Sequence, residues 1–293
     1  MHAQNDTLVD QIYAVLLLDS VTVIAQQNKP DIKSMIAQTI HDTTFYRAFQ
    51  RLRRVEYTFT SELYFYHPQW KPHTYMRSKR RQHIRNQIRT HDILEEYIHQ
   101  NMVNLKSDYI FYTAKMYDRL FYINTPVSVP AIWTDNLDDL PTPDTRMEKY
   151  VLSLKKLLFA PGTKIDLPLL GDKTAIFTEK HLDKYIFTLV LDRDSYPEPV
   201  YKFKILADPS LPENAMVIKE LTTVFDQRTK QVLNRNYQLR YSTVLYNFDV
   251  SMYIQVEPSP SGYLPTRIKY EGWWKVPLKK PEWCKFEFNI NEL

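Results

Sequence analysis

Arg77, Lys79, Arg81, His83, Arg85 and Arg89 all sit at odd positions, interrupted only by Gln87. Alternate residues of an extended strand share a face, so this spacing lines cations into one stripe. Such a stripe suits phosphate groups or an anionic lipid surface. It also suits a solvated outer face whose charge prevents edge-to-edge association, which is the plainer reading. His91, Glu95 and His99 recur every four residues, and on a helix they would converge on a metal. Asp92 and Glu95 fit a capping box equally well, a strand is open there too, and no metal is expected. Asp135, Asp138, Asp139 and Asp144 supply oxygen atoms for a hard cation. They match no calcium-loop spacing, and Pro141 and Pro143 interrupt them. Basic and aromatic residues interleave over Arg53–Tyr57 and Tyr270–Lys275, the composition of a stacking platform for single strands. In a strand that alternation more often builds core, so nucleic acid is not expected as a partner.

Several chemistries are excluded by scarcity. The chain has four glycines, Gly162, Gly171, Gly262 and Gly272. None has the spacing of a phosphate-cradling loop, a dinucleotide fingerprint or a nucleophile elbow. The single cysteine, Cys284, rules out an internal disulfide, a CxxC pair and a cysteine-rich zinc site. It lies between Trp283 and Lys285 in an apparent strand and reads as structural. No catalytic motif and no cofactor site is visible. Catalytic groups gather in space rather than in sequence, so a hydrolase with dispersed residues stays open as an alternative to a non-enzymatic protein. A net charge of +4 says little about partners, and nothing fixes the oligomeric state. No apolar run approaches the roughly 18–20 residues of a membrane-spanning helix. Met1-His2-Ala3 before Gln4 reads as a start joined to a mature chain whose export signal has been removed.

These residues need elements to position them. Aromatic residues make up 14% of the 293 residues, including 21 Tyr, and flat rings favour pleated, half-wet surfaces. Residues 7–17 read as a short amphipathic helix and residues 20–25 as a strand. Asp31 caps a second helix with Ile32, Met35, Ile36 and Ile40 on one face. Arg54–Tyr66 and His73–Arg89 read as a hairpin, and Tyr109–Ile123 as another aromatic strand. A proline-rich, acidic loop spans residues 125–145. Met147, Tyr150, Val151, Leu154, Leu157 and Leu158 then mark a helix near 146–159, closed by Pro161-Gly162.

From Tyr185 onward the pattern is strand after strand. Val217–Phe225 and Gln231–Tyr241 flank the turn Asp226-Gln227-Arg228-Thr229. Between Val244 and Glu257 apolar residues hold every even position and polar ones most odd positions, the period of a sheet with one buried face. The fold class expected is therefore α+β and mostly antiparallel, a curved open sheet or half-barrel of long hairpins covered by a few helices. Residues 1–50 form an N-terminal helical and extended segment, and residues 51–293 one large β domain.

Two segments resemble known groups. Leu18-Asp19-Ser20-Val21-Thr22-Val23-Ile24-Ala25 resembles the "LDEVVVTA" strand that follows carboxypeptidase-like regulatory domains in exported proteins of Bacteroidota. Phe45-Tyr46-Arg47 resembles their "FYRE" segment, with Ala48 in place of the acidic residue and the regulatory domain itself missing. The C-terminal half is similar to the LolA/LolB-like lipoprotein-carrier fold. The matching residues are Phe225-Asp226-Gln227-Arg228-Thr229 for its "D-x-x-T" turn and Leu264-Pro265-Thr266-Arg267-Ile268 for its "LP-x-x-I" strand. This resemblance implies an unclosed antiparallel barrel, capped by helices, whose apolar cavity shields acyl chains, in a periplasmic or outer-membrane-associated protein.

The function expected is a non-enzymatic envelope protein holding a lipid or other apolar ligand. Tyr246, Phe248, Val250, Met252 and Ile254 would line the site from the sheet, with Leu154 and Leu158 from the covering helix. The same side chains would equally serve as solid core. A scaffold that meets an anionic partner through the 77–89 stripe is the alternative.

Overall fold

The computed structural model describes residues 31–129, 156, 159–165, 170–243, 247–275 and 280–293, together with the backbone of Thr22 and Val23. In chain order its elements are β1 (Thr22–Val23), α1 (Ile32–His41), α2 (Thr44–Leu52), β2 (Tyr57–His67), β3 (Lys71–Arg85), β4 (Ile88–Ile98), α3 (Tyr112–Phe121) and β5 (Val127–Ser128). They continue with α4 (Glu179–Leu182), β6 (Tyr185–Asp192), β7 (Val200–Ala207), β8 (Ile218–Asp226), β9 (Val232–Ser242), β10 (Asn247–Ser259), β11 (Gly262–Lys275) and β12 (Glu282–Glu292). The protein is mostly antiparallel β with a few helices and an open sheet, as its alternation implies.

The chain divides into two compact units, Met1–Phe45 with Asn136–Tyr241, and Tyr46–Asp135 with Ser242–Leu293. Residues 51–293, expected as one domain, are shared between them. In the first unit the strand order is β1-β6-β7-β8-β9, antiparallel except for β1 beside β6. Asp31 caps α1 by accepting from the Ser34 N–H at 2.7 Å, so the helix starts where its sequence says. Ile32, Met35 and Ile36 are buried, and α1 lies against β6. The β8–β9 turn is fixed by one carboxylate. Asp226 Oδ1 accepts from Arg228 N, Thr229 N and Thr229 Oγ1 at 2.6–2.9 Å, which explains an Asp and a Thr three residues apart.

The second unit runs β10-β11-β12-β2-β3-β4-β5, antiparallel throughout. Pro265 cannot donate to the ladder, and the register shifts there, leaving Thr266 unmatched between the Gln255–Arg267 and Val256–Pro265 pairs. Proline in a strand goes with such a bulge.

Three expectations change in this unit. Asn86 and Gln87 both take positive φ, 52° and 60°, a two-residue hairpin turn. The supposed return strand to Arg89 therefore ends at Arg85, and Arg89 pairs with Ile84 on the opposite face from the stripe. Tyr109–Ile123 contains helix α3 rather than a strand, because Ala114, Tyr117 and Phe121 fall on one helical face and pack inward. Residues 91–99 belong to β4 and its end, so Asp92 and Glu95 form no capping box.

Candidate ligand-binding face of the second unit

The strand register of the second unit sets its inner face in rows. Met252, Tyr270, Phe286, Leu63 and Met76 are successive cross-strand partners from β10 to β3. Val250, Gly272, Cys284, Phe65 and Thr74 form the next row, and Ile254, Ile268, Phe288, Ser61 and Ser78 the one on the other side. The even positions of β10 share a face, which places Phe248, Val250, Met252 and Ile254 on one side of the sheet. Tyr246, Leu154 and Leu158, the acidic loop and the helix near 146–159 lie outside the described residues.

Among the described residues the cover on this face is α3. Tyr117 stacks on Phe286 at 4.0 Å between ring centroids, and Phe121 packs on Phe286 and Phe288 at 5.0 and 5.4 Å. The Glu282 carboxylate accepts from Tyr112 N, Thr113 N and Thr113 Oγ1 at 2.5–2.9 Å. It thereby satisfies the free N–H groups of the helix start and complements its dipole. Trp274 Nε1 donates to Thr113 Oγ1 at 2.8 Å.

Under α3 the face is sealed. Leu63, Phe59, Phe286 and Phe288 are at most 2% exposed, so this stretch is packed core. Cys284 is equally buried, and burial pushes its thiol up, which makes it inert as its sequence context implies. Toward β10 the seal opens. Phe248, Met252, Tyr270 and Trp274 are half-buried, while Val250, Ile254 and Val256 on the same strand are closed off. Between them Gly272 faces Val250. A Cβ there would come within 2.6 Å of the Val250 backbone and side chain, so glycine permits the close approach of β10 and β11.

On the outer face Arg77, Arg81 and Arg85 are exposed and Lys79 and His83 half-buried, and most of them are answered by carboxylates. Arg77 pairs with Glu62 at 3.2 Å, Arg81 with Glu292 at 3.6 Å, and His83 Nε2 with Asp92 at 2.9 Å. Lys79 stands opposite Glu95 in register, and Arg85 ends the strand exposed.

At the β3–β4 end the inner face turns polar. Arg80, 3% exposed, donates to Glu96 at 2.6 Å, Ser78 at 2.9 Å and Asn124 at 3.2 Å, with its guanidinium 4.0 Å from the centre of the Tyr122 ring. Tyr122 in turn shares a 2.6 Å hydrogen bond with Ser61. His91 Nδ1 accepts from Ile123 N at 3.2 Å, and Nε2 lies 3.4 Å from Gln82 Oε1. Burial, reinforced by Arg80 and Arg89, lowers the His91 pKa to about 4, so the ring is neutral at pH 7. His99 Nδ1 bonds Thr74 and Asn101 N, so His91, Glu95 and His99 have separate partners. No group of side chains suited to a metal occurs among the described residues. Tyr270 and Trp274 carried only the signal of a stacking platform, not of an apolar site, and α3 carried no site signal. The spacing of Ala114, Tyr117 and Phe121 could have revealed the helix.

No family model and no curated protein matches the sequence. Three solved structures are similar at low identity. A DUF1329 family protein from Desulfovibrio piger is 9% identical over 87% of this chain and 90% of that one, with a TM-score of 0.28. A putative outer membrane lipoprotein-sorting protein domain from Vibrio parahaemolyticus is 8% identical over 83% and 87%, at 0.24. A LolA superfamily protein from Nitrosomonas europaea is 9% identical over 88% and 94%, also at 0.24. Likeness at this level decides nothing about function.

Proposed function

We propose that the protein is a non-enzymatic carrier or receptor for an apolar ligand such as an acyl chain. The ligand lies on the inner face of the second unit, along β10 and β11 beside α3. The observation that supports this reading is the partial exposure of Phe248, Met252, Tyr270 and Trp274 on a face whose neighbouring residues are sealed. Three aromatic rings offer large apolar area, and Tyr270 and Trp274 add a polar tip. Met252 adds a flexible, polarisable chain that adapts to irregular partners. The sequence resemblance to lipoprotein carriers and to exported Bacteroidota proteins extends the reading to a cell-envelope location. An anionic partner docked on the outer stripe is less favoured, since most of those cations already have carboxylate neighbours and exposed ion pairs gain little by exchange.

Native mass spectrometry of protein purified from cells, with organic extraction of the same sample, tests this. Bound lipid is expected, as is fluorescence enhancement of the neutral probe N-phenyl-1-naphthylamine. Met252→Lys should lose both while keeping the wild-type melting temperature within a few degrees. Absence of co-purified lipid and of probe uptake in the wild type overturns the proposal.

A further inference from the structure

We propose that Arg89, together with Arg53, forms a binding site for a phosphate-type oxyanion. Arg89 projects from β4 on the inner face, where it pairs with Ile84 of β3 and Val127 of β5. Its Nε is buried and has no hydrogen-bond partner. Its Nη1 reaches one acceptor, Gln82 Oε1, at 3.4 Å. The same oxygen lies 3.4 Å from His91 Nε2, so two donors share one acceptor at long range. The amide cannot turn to offer anything else. Gln82, fully buried, donates its nitrogen to Leu52 O at 2.9 Å and Val55 O at 2.7 Å.

Arg53 brings a second positive charge. It follows α2, is exposed, and acts electrostatically on Arg89 and on the buried Tyr57 hydroxyl, as Arg89 does. Neither arginine forms an ion pair among the described residues. The carboxylate nearest to Arg53 in sequence, Glu56, is engaged by Ile84 N at 2.9 Å and stands 3.9 Å from His83. Burial and Arg53 both push Arg89 toward its neutral form, the opposite of what a bound counter-charge does. A half-buried guanidinium with an unbonded, buried Nε, the positive charge of Arg53 acting on it and no ion-paired carboxylate is short of acceptors. Phosphate, sulfate-like and carboxylate oxygens fit the planar fork, and phosphate fits it bidentately.

The inference does not rest on the apolar-ligand reading. The oxyanion has two sources, a free phosphate or the headgroup of an anionic lipid, and both present the same oxygens. The test uses full-length protein labelled with ¹⁵N at arginine, with the Nε–Hε resonances followed during titration with inorganic phosphate at ionic strength held by sodium chloride. A saturable shift of the Arg89 resonance is expected. Arg53→Gln, followed at Arg89, and Arg89→Lys, followed at Arg53, should each weaken phosphate binding about tenfold, the loss of one charge-assisted hydrogen bond. A parallel arm measures capture by phosphatidylcholine vesicles with and without phosphatidylglycerol. Capture that needs phosphatidylglycerol, Arg53 and low phosphate assigns the anion to a headgroup. Phosphate binding without such capture assigns it to a free phosphate. No saturable Arg89 shift in the wild type, or wild-type affinity retained in both variants, overturns the proposal, whatever the lipid-extraction result.

Discussion

Arg235 in the first unit and Arg89 in the second are both withdrawn from water, and they are served in opposite ways. Arg235 is fully buried on β9. Its Nη2 lies 3.1 Å from Asp42 Oδ2, itself 2% exposed, and its guanidinium sits 4.6 Å from the centre of the Phe45 ring. Asp42 also accepts from Thr44 N at 3.0 Å and so starts α2. The pair ties the α1–α2 junction to the sheet, and Thr44 Oγ1 adds a bond to Gln231 at 3.1 Å. Arg80 in the second unit follows the same rule, with Glu96, Ser78, Asn124 and Tyr122 around it. Arg89 has one long hydrogen bond, no carboxylate within ion-pair distance among the described residues, and the repulsion of Arg53. A buried cation with a built-in carboxylate is architecture. A half-buried cation without one is a place where something else completes the shell.

The largest test of that comparison is to remove the carboxylate from Arg235. Asp42→Ala leaves a buried guanidinium uncompensated, and unfolding in urea should show a loss of about 3–5 kcal/mol. Asp42→Leu combined with Arg235→Met removes both charges and should regain most of it. The remainder, about 1 kcal/mol, is the lost start of α2. If Asp42→Ala costs under about 1 kcal/mol, the pair is not what holds the junction, and the contrast with Arg89 fails.

His91 probes the other side of the comparison, since it lies between Arg80 and Arg89. Its folded pKa, about 4, is below the unfolded value of about 6.5, so the fold favours the neutral ring. The stability this contributes is complete above about pH 6.5 and is lost as pH falls from there toward 4, by at most about 3 kcal/mol. His91→Gln should flatten that part of the stability profile, measured by urea unfolding between pH 7 and 4. An oxyanion beside Arg89 offsets one of the repelling charges, so phosphate should shrink the loss in the wild type. A profile equally steep in His91→Gln refutes the assignment.

Much of the sheet was legible in the sequence because one-face burial has a period of two. The even residues of β10 fall on one face, Asp31 caps α1, and Asp226 holds its turn through bonds that depend on its spacing to Thr229. Helix α3 was masked by the strand-like composition of Tyr112, Tyr117 and Phe121, although the spacing of Ala114, Tyr117 and Phe121 is helical. What makes them helical is the distant Glu282, which satisfies the first N–H groups. The β3–β4 turn was hidden because Asn86-Gln87 lacks the glycine that usually marks positive φ. It divided the cationic stripe and sent Arg89 to the other face. Missing that break concealed the polar end of the face, since Gln82, His91 and Arg89 meet only after the chain reverses. The face that carries the apolar shelf was legible from the alternation of β10. Periodicity selected Phe248 and Met252, but how far each is covered depends on tertiary packing, which no local pattern encodes.

The smallest expected effect is the sharpest comparison, because one substitution should act with opposite sign at the two arginines. Arg235→Met strands the buried Asp42 carboxylate and is destabilising. Arg89→Met removes a charge that has no partner and keeps a chain of similar length on the inner face. Without phosphate it should raise stability by about 1 kcal/mol, the relief of an unsatisfied buried donor, seen as a melting temperature a few degrees higher. Saturating phosphate should stabilise the wild type by linkage and leave Arg89→Met where it was, so the ranking of the two proteins converges or inverts. A fall in stability of Arg89→Met in phosphate-free buffer would mean that Arg89 already has the partner it needs within the fold.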